Sequence, residues 1–296
     1  MLILISDAFD ASLPGRLAKF GEVTEDKARL AEAEVVLVRS KTKCTREYMD
    51  SAPKLKLIIR GGVGLDNVDA EAAKQKGIRV DNTPEASTVA VAELAMALMI
   101  AAPNQLTTGH SAMVEGKWLK NEIKRTELYK KTLGLIGIGR IGSAVAQRAK
   151  GFEMRVVAYD AYVKSSPAAE LWPLERVIAE SDYLSLHTPL TAETRQMINA
   201  DTLGKMKKGV IIVNTGRGEC VDEAALAKAL ESGHVGCYAT DVWTSDPPPT
   251  DCPLLKAPRV IMMPHVGGSS KENLGRIGDQ VVEKIGAYLS EKEKRS

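Results

Sequence analysis

The stretch LGLIGIGRIGSAV, Leu133–Val145, decides the fold. An apolar run typical of a buried strand leads into Gly137-x-Gly139-x-x-Gly142, and a helical pattern follows directly. In such a turn the first glycine permits the tight bend and the second lets the backbone approach a pyrophosphate. The third allows the helix to pack closely on the strand. The stretch therefore predicts a strand–turn–helix unit that binds a dinucleotide at the helix N-terminus.

An acidic residue follows this turn where a nucleotide ribose would need it. The next predicted strand ends in Tyr159-Asp160, and Asp160 follows Gly142 at nearly the expected spacing of about 20 residues. A carboxylate there accepts hydrogen bonds from both ribose hydroxyls of NAD and repels the 2′-phosphate of NADP. Lys164, a few residues later, leaves NADP as the alternative cofactor. The alternative interpretation of the glycine motif is a tight turn that binds no ligand. The pattern favours NAD as the cofactor.

Short apolar runs alternate with helical patterns along the chain, which is typical of right-handed crossovers in parallel sheets. The alternation breaks over residues 105–125, where a second helix and an irregular arm follow Pro103, a residue expected to end or kink the preceding helix. We therefore predict an α/β fold with two doubly wound parallel-sheet domains. The predicted strands are Leu2–Ile5, Val35–Val38, Leu55–Ile59 and Ile78–Val80 before the break, and Leu133–Ile136, Arg155–Tyr159, Tyr183–Leu186, Val210–Asn214, Gly236–Asp241 and Val260–Met263 after it.

Composition excludes several classes of protein. The 296 residues favour two domains, and a net charge of only +2 argues against nucleic acid or an acidic membrane as partner. The longest apolar stretch, Val89–Ala102, is shorter than the roughly 20 residues of a membrane span and contains Glu93. The N-terminus resembles a first strand more than a signal peptide. The four cysteines form no C-x-x-C pair, so we expect a reduced, cytoplasmic protein without a metal site.

Three chemically suited residues follow predicted strand ends in the second half: Arg217, Asp246 and His265. Reduction of a 2-keto acid needs a cation that binds the carboxylate and polarises the carbonyl, an acid that protonates its oxygen, and a hydride donor. Arg217 suits the first role, His265 the second and a nicotinamide the third, while Asp246 could orient the imidazole. Taken singly, each residue also has a purely structural interpretation. Arg217 could cap a strand–helix turn, Asp246 could be a loop residue before three prolines, and His265 could be a structural or surface histidine.

A second glycine-rich turn, Arg60-Gly61-Gly62-Val63-Gly64, also follows a predicted strand. Its third glycine would fall at Asn67, and acidic residues follow, so it would hold a pyrophosphate poorly. Free amides in such a turn can bind a smaller anion, such as a carboxylate. Two further residues follow strand ends: His187, a candidate for the cofactor cleft, and Cys220, which lacks the paired base that a thiol nucleophile needs.

Together these motifs resemble the D-isomer-specific 2-hydroxyacid dehydrogenases and, within them, the D-3-phosphoglycerate dehydrogenases. The resemblance extends over nearly the whole chain, and the order and spacing of the motifs make it specific. The motifs are VRSKTK (38–43), RGGVGLDNVD (60–69), NTPEASTVAVAEL (82–94), TELYKKTLGLIGIGRIG (126–142), LHTPLTAET (186–194), VNTGRG (213–218), TDVW (240–243) and PHVGGSS (264–270).

The resemblance implies a smaller, flavodoxin-like substrate domain of residues 1–98 and 270–296. It implies an NAD-binding Rossmann domain of residues 99–269, whose arm, residues 105–125, embraces a partner subunit in a homodimer. It matches Arg217 and His265 to the catalytic arginine and histidine. Further implied contacts are Arg140, Ile141, Thr188, Thr215, Asp241 and Gly268 for the cofactor, Gly62, Val63 and Gly64 for the substrate carboxylate, and Arg39 and Arg60 for the far, phosphorylated end of the substrate.

The reaction implied is NAD-dependent oxidation of D-3-phosphoglycerate, the entry to serine biosynthesis. A glyoxylate or hydroxypyruvate reductase, or another D-2-hydroxyacid dehydrogenase, is the alternative within the family, and an NAD-sensing corepressor-like protein is the alternative outside enzymes. Two residues depart from the pattern. Asp246 stands where the family has glutamate, so its bond to His265 is expected to need backbone adjustment or a bridging water. After Trp118, Leu119-Lys120-Asn121 stands where phosphoglycerate-type enzymes tend to offer arginine.

Overall fold

The computed structural model describes residues 1–294, and the chain divides into two compact units. The first unit contains Met1–Thr88 and the chain from Gly268 onward, and the second contains Val89–Gly267. The boundaries predicted from the sequence, after residue 98 and before residue 270, lie later along the chain. The roles assigned to the two domains stay predictions.

The first unit is built on a five-stranded sheet in which all neighbouring strands pair in parallel, in the order β2-β1-β3-β4-β5. Its edge strand β2 was not predicted, because its three residues include only one apolar side chain, Val23, and are at least partly exposed. The elements are β1 (Leu2–Ile5), α1 (Leu13–Leu17), β2 (Glu22–Thr24), β3 (Val35–Val38), α2 (Arg46–Asp50), β4 (Leu57–Arg60), α3 (Ala70–Gln75) and β5 (Arg79–Asn82), with a 3₁₀ helix at Lys27–Glu32.

The second unit contains a seven-stranded parallel sheet in the order β12-β11-β10-β9-β6-β7-β8. The sequence predicted six of these strands; β8 has only two residues, too few to form a pattern. The elements are α4 (Thr88–Asn104), α5 (Leu106–Val114), β6 (Thr132–Ile136), α6 (Arg140–Lys150), β7 (Arg155–Tyr159), β8 (Glu170–Leu171), α7 (Leu174–Glu180), β9 (Tyr183–Leu186), α8 (Ala200–Lys205), β10 (Val210–Asn214), α9 (Glu223–Glu231), β11 (Val235–Thr240) and β12 (Val260–Met262), with 3₁₀ helices at Gly218–Cys220 and Pro253–Leu255.

Both faces of this larger sheet are covered by apolar layers. Successive residues of β6 point to opposite faces, so Leu135 packs in one hydrophobic cluster and Ile136 in the other. This explains why the strands read as continuous apolar runs, as strands buried on both faces do. The predicted α/β architecture with two parallel sheets is confirmed.

The last helix, α10 (Lys271–Glu293), belongs to the first unit. Its N-cap is Ser270, whose hydroxyl accepts a hydrogen bond from the Asn273 N–H at 3.2 Å. Ile277, Val281 and Ile285 follow one another at a spacing of four residues and are fully buried against the sheet and α1. The chain thus returns to the unit in which it began because this helix covers an apolar face there.

Pro103 ends α4 as predicted: the helix stops at Asn104, and Gln105 adopts a left-handed backbone with φ of 49°. Within residues 1–294 no single helix combines the length and the apolar character of a membrane span, although α4 and α5, bent by 65° at their junction, meet that test as a pair. All four cysteines are free and buried. The cytoplasmic location stays a prediction.

Candidate active site

The strand order of the second unit explains how its sequence motifs come together. Arg217, Asp246 and His265 follow the carboxyl ends of β10, β11 and β12, and these three strands are neighbours. The chain leaves β6 for β7 on one side and later returns to β9 on the other side, which makes the space beyond β6 and β9 the topological switch point. Open parallel sheets bind their ligands at this edge.

The glycine turn after β6 has the geometry of a phosphate cradle. Gly137 has a φ of +96°, which favours glycine, and a Cβ atom there would lie 2.6 Å from the His187 carbonyl oxygen. A Cβ at Gly142 would collide with the Gly137 carbonyl. A Cβ at Gly139, in contrast, would meet nothing within 4 Å, and the first turn of α6 has no side-chain cap. The backbone at Gly139 is therefore open to a pyrophosphate at the helix N-terminus.

Asp160 lies directly after β7, and its carboxylate is held by the backbone. Oδ2 accepts the Ile138 N–H at 2.9 Å, and Oδ1 accepts the N–H groups of Tyr162 and Val163 at 2.9 and 3.1 Å. Burial disfavours the charged form, but these three hydrogen bonds prevail and lower the pKa of Asp160. The carboxylate is thus ionised and fixed beside the glycine turn, as a ribose acceptor must be.

We expect Asp160→Ala to relax the choice between NAD and NADP. The change removes a charge beside the 2′ position and two ribose hydrogen bonds, so NAD should bind about 1–3 kcal/mol more weakly while NADP binds no worse. The ratio of kcat/KM for the two cofactors measures the effect. Asp182→Ala is the matched control, because its carboxylate accepts the Thr132 N–H at the opposite edge of the sheet. An unchanged ratio in Asp160→Ala would remove this residue from ribose binding.

His187 lies beneath the glycine turn, just after β9. Its Nε2 is 2.9 Å from the Ser185 hydroxyl, and its Nδ1 is shielded from solvent without a hydrogen-bond partner in the described chain. Burial lowers the pKa of His187 to about 4, so the imidazole is neutral at physiological pH. Thr215, after β10, likewise has a buried hydroxyl without a partner. These unsatisfied polar atoms fit a site that is completed by a polar ligand.

The second unit should lose stability in acid through His187. A histidine with a pKa near 4 in the folded state and near 6.5 in the unfolded chain takes up its proton on unfolding. Its contribution, about 3 kcal/mol, is therefore lost as the pH falls from about 6.5 to 4. Urea unfolding followed by tryptophan fluorescence measures this, because Trp118, Trp172 and Trp243 all lie in this unit. His187→Gln should flatten the dependence; identical pH profiles for wild type and variant would contradict it.

His265 and Asp246 are in direct contact. The His265 Nδ1 lies 2.5 Å from the Asp246 Oδ2, and both side chains are partly exposed. Because an ionised carboxylate only accepts, Nδ1 carries the proton and Nε2 is the nitrogen available to a reacting oxygen. The aspartate therefore reaches the imidazole without a bridging water, despite being shorter than the family's glutamate. His265 itself has a φ of +55°, a strained backbone of the kind found at functional sites.

Buried groups hold the segment around His265. Asp241, after β11, accepts the N–H groups of Val266 and Gly267 at 2.8 and 2.7 Å, and burial raises its pKa. On the other side of the histidine, the Trp243 indole N–H donates to the Met263 carbonyl oxygen at 3.0 Å. The left-handed residue between these two anchors is thus constrained on both sides.

Arg217 is carried by a tight loop after β10. Its Nη1 donates to the Gly216 carbonyl oxygen at 2.7 Å. The next residue, Gly218, packs so closely on the backbone of Trp243 that any side chain at 218 would collide with it. Cys220, shortly after, is buried, and burial raises the pKa of its thiol, so it stays protonated.

The predicted substrate residues lie in the first unit. The Gly62 N–H donates to the Thr83 hydroxyl at 2.8 Å, so we expect the anion-binding role to fall to Val63 and Gly64. The Arg60 guanidinium lies against Gly62, where any Cβ would collide with it. Arg39, also predicted to bind the substrate, has a guanidinium that donates hydrogen bonds to two carbonyl groups of this unit.

The Arg39 Nη2 donates to the Gly268 carbonyl oxygen at 2.8 Å and Nη1 to that of Ala8 at 3.5 Å, and burial lowers the pKa of the guanidinium. Gly268 belongs to this first unit, where its carbonyl also accepts from Asn273 Nδ2 at 2.8 Å. The remaining predicted cofactor residues, Arg140, Ile141, Thr188, Thr215 and Asp241, lie at the carboxyl edge of the larger sheet. Their roles stay predictions.

Two residues of this site have no role predicted from the sequence. Asn214 lies within the motif VNTGRG, and Tyr238 lies inside a predicted strand. Both are buried and hydrogen-bonded to each other at 3.2 Å. A polar residue at the end of an otherwise apolar strand, directly before a loop with a candidate catalytic residue, was the signal for Asn214; Tyr238 gave none.

Comparison with known proteins places the chain among dehydrogenases. Residues 96–267 match the family described as D-isomer specific 2-hydroxyacid dehydrogenase, NAD binding domain. The chain is 46% identical to hydroxypyruvate reductase of Thermotoga maritima over 86% of this chain and 85% of that protein. It is 41% identical to D-3-phosphoglycerate dehydrogenase of Mycobacterium tuberculosis over 98% of this chain. It spans 57% of the length of that mycobacterial protein.

Among solved structures, D-lactate dehydrogenase from Aquifex aeolicus, in complex with NAD and lactic acid, superposes with a TM-score of 0.89 and 30% identity. The match covers 99% of this chain and 97% of that one. The matched family domain binds NAD, and the open glycine turn with the fixed Asp160 fits that cofactor. NAD is therefore the cofactor of the second unit.

Proposed function

Because this chain belongs to the family of D-isomer-specific 2-hydroxyacid dehydrogenases, an NAD-dependent family of oxidoreductases, we propose that it oxidises D-3-phosphoglycerate to 3-phosphohydroxypyruvate. The contact of 2.5 Å between His265 Nδ1 and Asp246 Oδ2 carries the dehydrogenase chemistry of this proposal, since it gives a histidine that can exchange a proton beside a carboxylate that stabilises the charge. This product would be the one that serine biosynthesis consumes.

The residues of the second unit divide the reaction between them. Arg217 binds the substrate carboxylate and polarises the bond at C2. In the oxidative direction, His265 Nε2 takes the proton of the 2-hydroxyl group, and the imidazolium that forms is stabilised by Asp246 through Nδ1. In the reductive direction the same nitrogen returns the proton to the carbonyl oxygen. Bound NAD supplies the hydride acceptor at the carbon atom.

Recognition of a phosphorylated substrate would rest on the first unit. The guanidinium of Arg60 lies against the glycine turn, so a cation stands beside backbone amides there. Such a pairing suits an anion, because a guanidinium fork and N–H groups both donate to phosphate or carboxylate oxygens. Arg39 would contribute its charge from a position already fixed by two carbonyl groups.

Hydroxypyruvate reduction is the second candidate. The 46% identity to the Thermotoga maritima hydroxypyruvate reductase favours it, as does the run Leu119-Lys120-Asn121, which lacks arginine after Trp118. The two candidates use the same residues at C2 and differ in whether the C3 oxygen carries a phosphate.

The test compares Arg60→Ala with wild type on two substrates, D-3-phosphoglycerate and D-glycerate. If Arg60 binds the phosphate, the KM for D-3-phosphoglycerate should rise roughly tenfold or more, since a charge-assisted hydrogen bond is worth about 1.5–3 kcal/mol. The KM for D-glycerate should change much less. Arg39→Ala should act in the same direction and also lower the stability of the first unit, because its guanidinium bridges Ala8 and Gly268.

Equal effects on the two substrates would contradict the phosphate proposal and favour the reductase. Wild-type turnover with hydroxypyruvate and NADH then becomes the deciding rate. A high kcat/KM for hydroxypyruvate together with none for D-3-phosphoglycerate would replace the first candidate by the second.

We also propose a homodimer formed through the arm of residues 105–125. Four apolar side chains of this region, Leu106, Met113, Val114 and Trp118, are exposed by 55–73% in the single chain. A second copy would cover them, as apolar surfaces in oligomers are covered. Sedimentation velocity should give a dimer for wild type and a shift toward monomer for Trp118→Ser; a monomeric wild type would refute the proposal.

A further inference from the structure

The loop of Arg217 is held from inside by a buried asparagine. Asn214 ends β10 and has no solvent exposure. Its Oδ1 accepts the Gly216 N–H at 3.0 Å, and its Nδ2 donates to the Arg217 carbonyl oxygen at 2.9 Å. One side chain thereby fixes the backbone before and after the Cα atom of Arg217, and with it the direction in which that side chain leaves the loop.

A buried tyrosine completes the hydrogen bonds of this asparagine. The Asn214 Nδ2 also donates to the Tyr238 hydroxyl at 3.2 Å, from the neighbouring strand β11. Burial raises the pKa of Tyr238 to about 12, so the hydroxyl stays neutral and accepts this bond. An amide NH₂ has two protons, and both now have partners. Without the hydroxyl, one buried N–H would lose its partner and the amide would be less firmly oriented.

Packing alone does not explain the tyrosine. Its ring lies in the apolar cluster on one face of the sheet, where a phenylalanine ring would fill the same space. A buried hydroxyl is retained at a cost in desolvation unless it is hydrogen-bonded. The hydroxyl is hydrogen-bonded to the side chains of Thr240 and Asn214. It thereby fixes the orientation of the Asn214 amide, which contacts the loop of Arg217.

We propose that Asn214 and Tyr238 are positioning residues for Arg217. Asn214 acts on the backbone of the loop, and Tyr238 acts by holding the amide of Asn214. This rests on the proposed function, in which Arg217 binds the substrate carboxylate. Fork-shaped contacts to a carboxylate depend on direction, so a loosened loop weakens substrate binding. NAD binding should be unaffected by a change at Tyr238, because this side chain belongs neither to the glycine turn nor to Asp160, whereas Asn214 adjoins Thr215, a predicted cofactor residue.

The experiment compares Tyr238→Phe with a matched control, Tyr183→Phe. Tyr183 is also buried, lies on β9 of the same sheet, and donates its hydroxyl to the Glu127 carbonyl oxygen at 3.4 Å, away from the Arg217 loop. The readouts are the KM for hydroxypyruvate and the Kd of oxalate, a carboxylate probe, for the NADH-loaded protein. Tyr238→Phe should raise both about two- to tenfold, the range of a net hydrogen bond. NADH affinity should not change, and the control should match wild type.

Asn214→Ala removes both hydrogen bonds to the loop of Arg217 and should raise the Kd of oxalate further. If Asn214→Ala does not fold, Tyr238→Phe alone tests the positioning role. In the Arg217→Lys background, Tyr238→Phe should have no additional effect, because the fork it orients is gone. If Arg217→Lys raises the Kd of oxalate but Tyr238→Phe behaves like its control, the positioning role is wrong and the proposed function stands. If Arg217→Lys has no effect, the role of Arg217 in the proposed function fails first.

Discussion

We expect His265→Asn to lower kcat by about 10²–10⁴-fold, the usual contribution of a positioned acid–base group, and to leave NAD binding nearly unchanged. The imidazole has its Nδ1 on Asp246, so only Nε2 can exchange a proton with the reacting oxygen. Asparagine has a similar size and can still hydrogen-bond Asp246, but it cannot take up a proton. Steady-state kinetics with titration of NAD fluorescence quenching separates the two effects.

A second histidine provides the control for this variant. His234 precedes β11, at the opposite edge of the sheet, and its Nε2 lies 2.8 Å from the Leu203 carbonyl oxygen. His234→Asn should therefore keep kcat within a few fold of wild type. If His265→Asn is as active as this control, His265 has no part in proton transfer.

The second large effect is expected for Arg217→Ala, which should reduce kcat/KM for a 2-keto acid by about 10²–10³-fold. This is the range for removing one preorganised donor from a developing negative charge. Both the carboxylate contact and the polarisation of the carbonyl would be lost, so KM should rise and kcat should fall. The measurement is the initial rate of NADH oxidation over a range of hydroxypyruvate concentrations.

Arg155→Ala is the matched control for Arg217→Ala. Arg155 begins β7 at the amino edge of the same sheet, is exposed, and pairs with Glu170 at 3.2 Å. The change Arg155→Ala removes the same net charge from the protein as Arg217→Ala but leaves the carboxyl edge of the sheet unaltered. Similar losses in the two variants would show that the effect is one of overall charge, and Arg217 would lose its proposed role.

The strand–turn–helix around Gly137 was predictable from the sequence because its requirements are local. The positive φ of Gly137 and the close contact of Gly142 with the Gly137 carbonyl oxygen both arise within the turn, whereas the contact of Gly137 with the His187 carbonyl oxygen comes from a neighbouring strand. The strands of both sheets were visible for the same reason, since strands buried on two faces are apolar throughout. The edge strands β2 and β8 were missed because short, half-exposed segments satisfy no such demand.

The site itself was only partly predictable. Arg217, Asp246 and His265 could be found because their residue types and their positions after strands suit the chemistry. The direct hydrogen bond between Asp246 and His265 could not be predicted, because it depends on the conformation of the loop and on the left-handed backbone at His265. The contact between Asn214 and Tyr238 joins residues on different strands, and no local pattern reports that.

The most direct test of the account is the formation of NADH when the protein is mixed with NAD and either the D- or the L-enantiomer of a 2-hydroxy acid. Absorbance at the NADH band would be followed for 3-phosphoglycerate, glycerate and lactate. We expect turnover with the D-enantiomers alone, fastest with D-3-phosphoglycerate, and its loss in His265→Asn. The contradicting result is a protein that binds NAD but turns over none of these acids and does not reduce hydroxypyruvate or glyoxylate with NADH. That result would indicate an NAD-sensing protein and not a dehydrogenase.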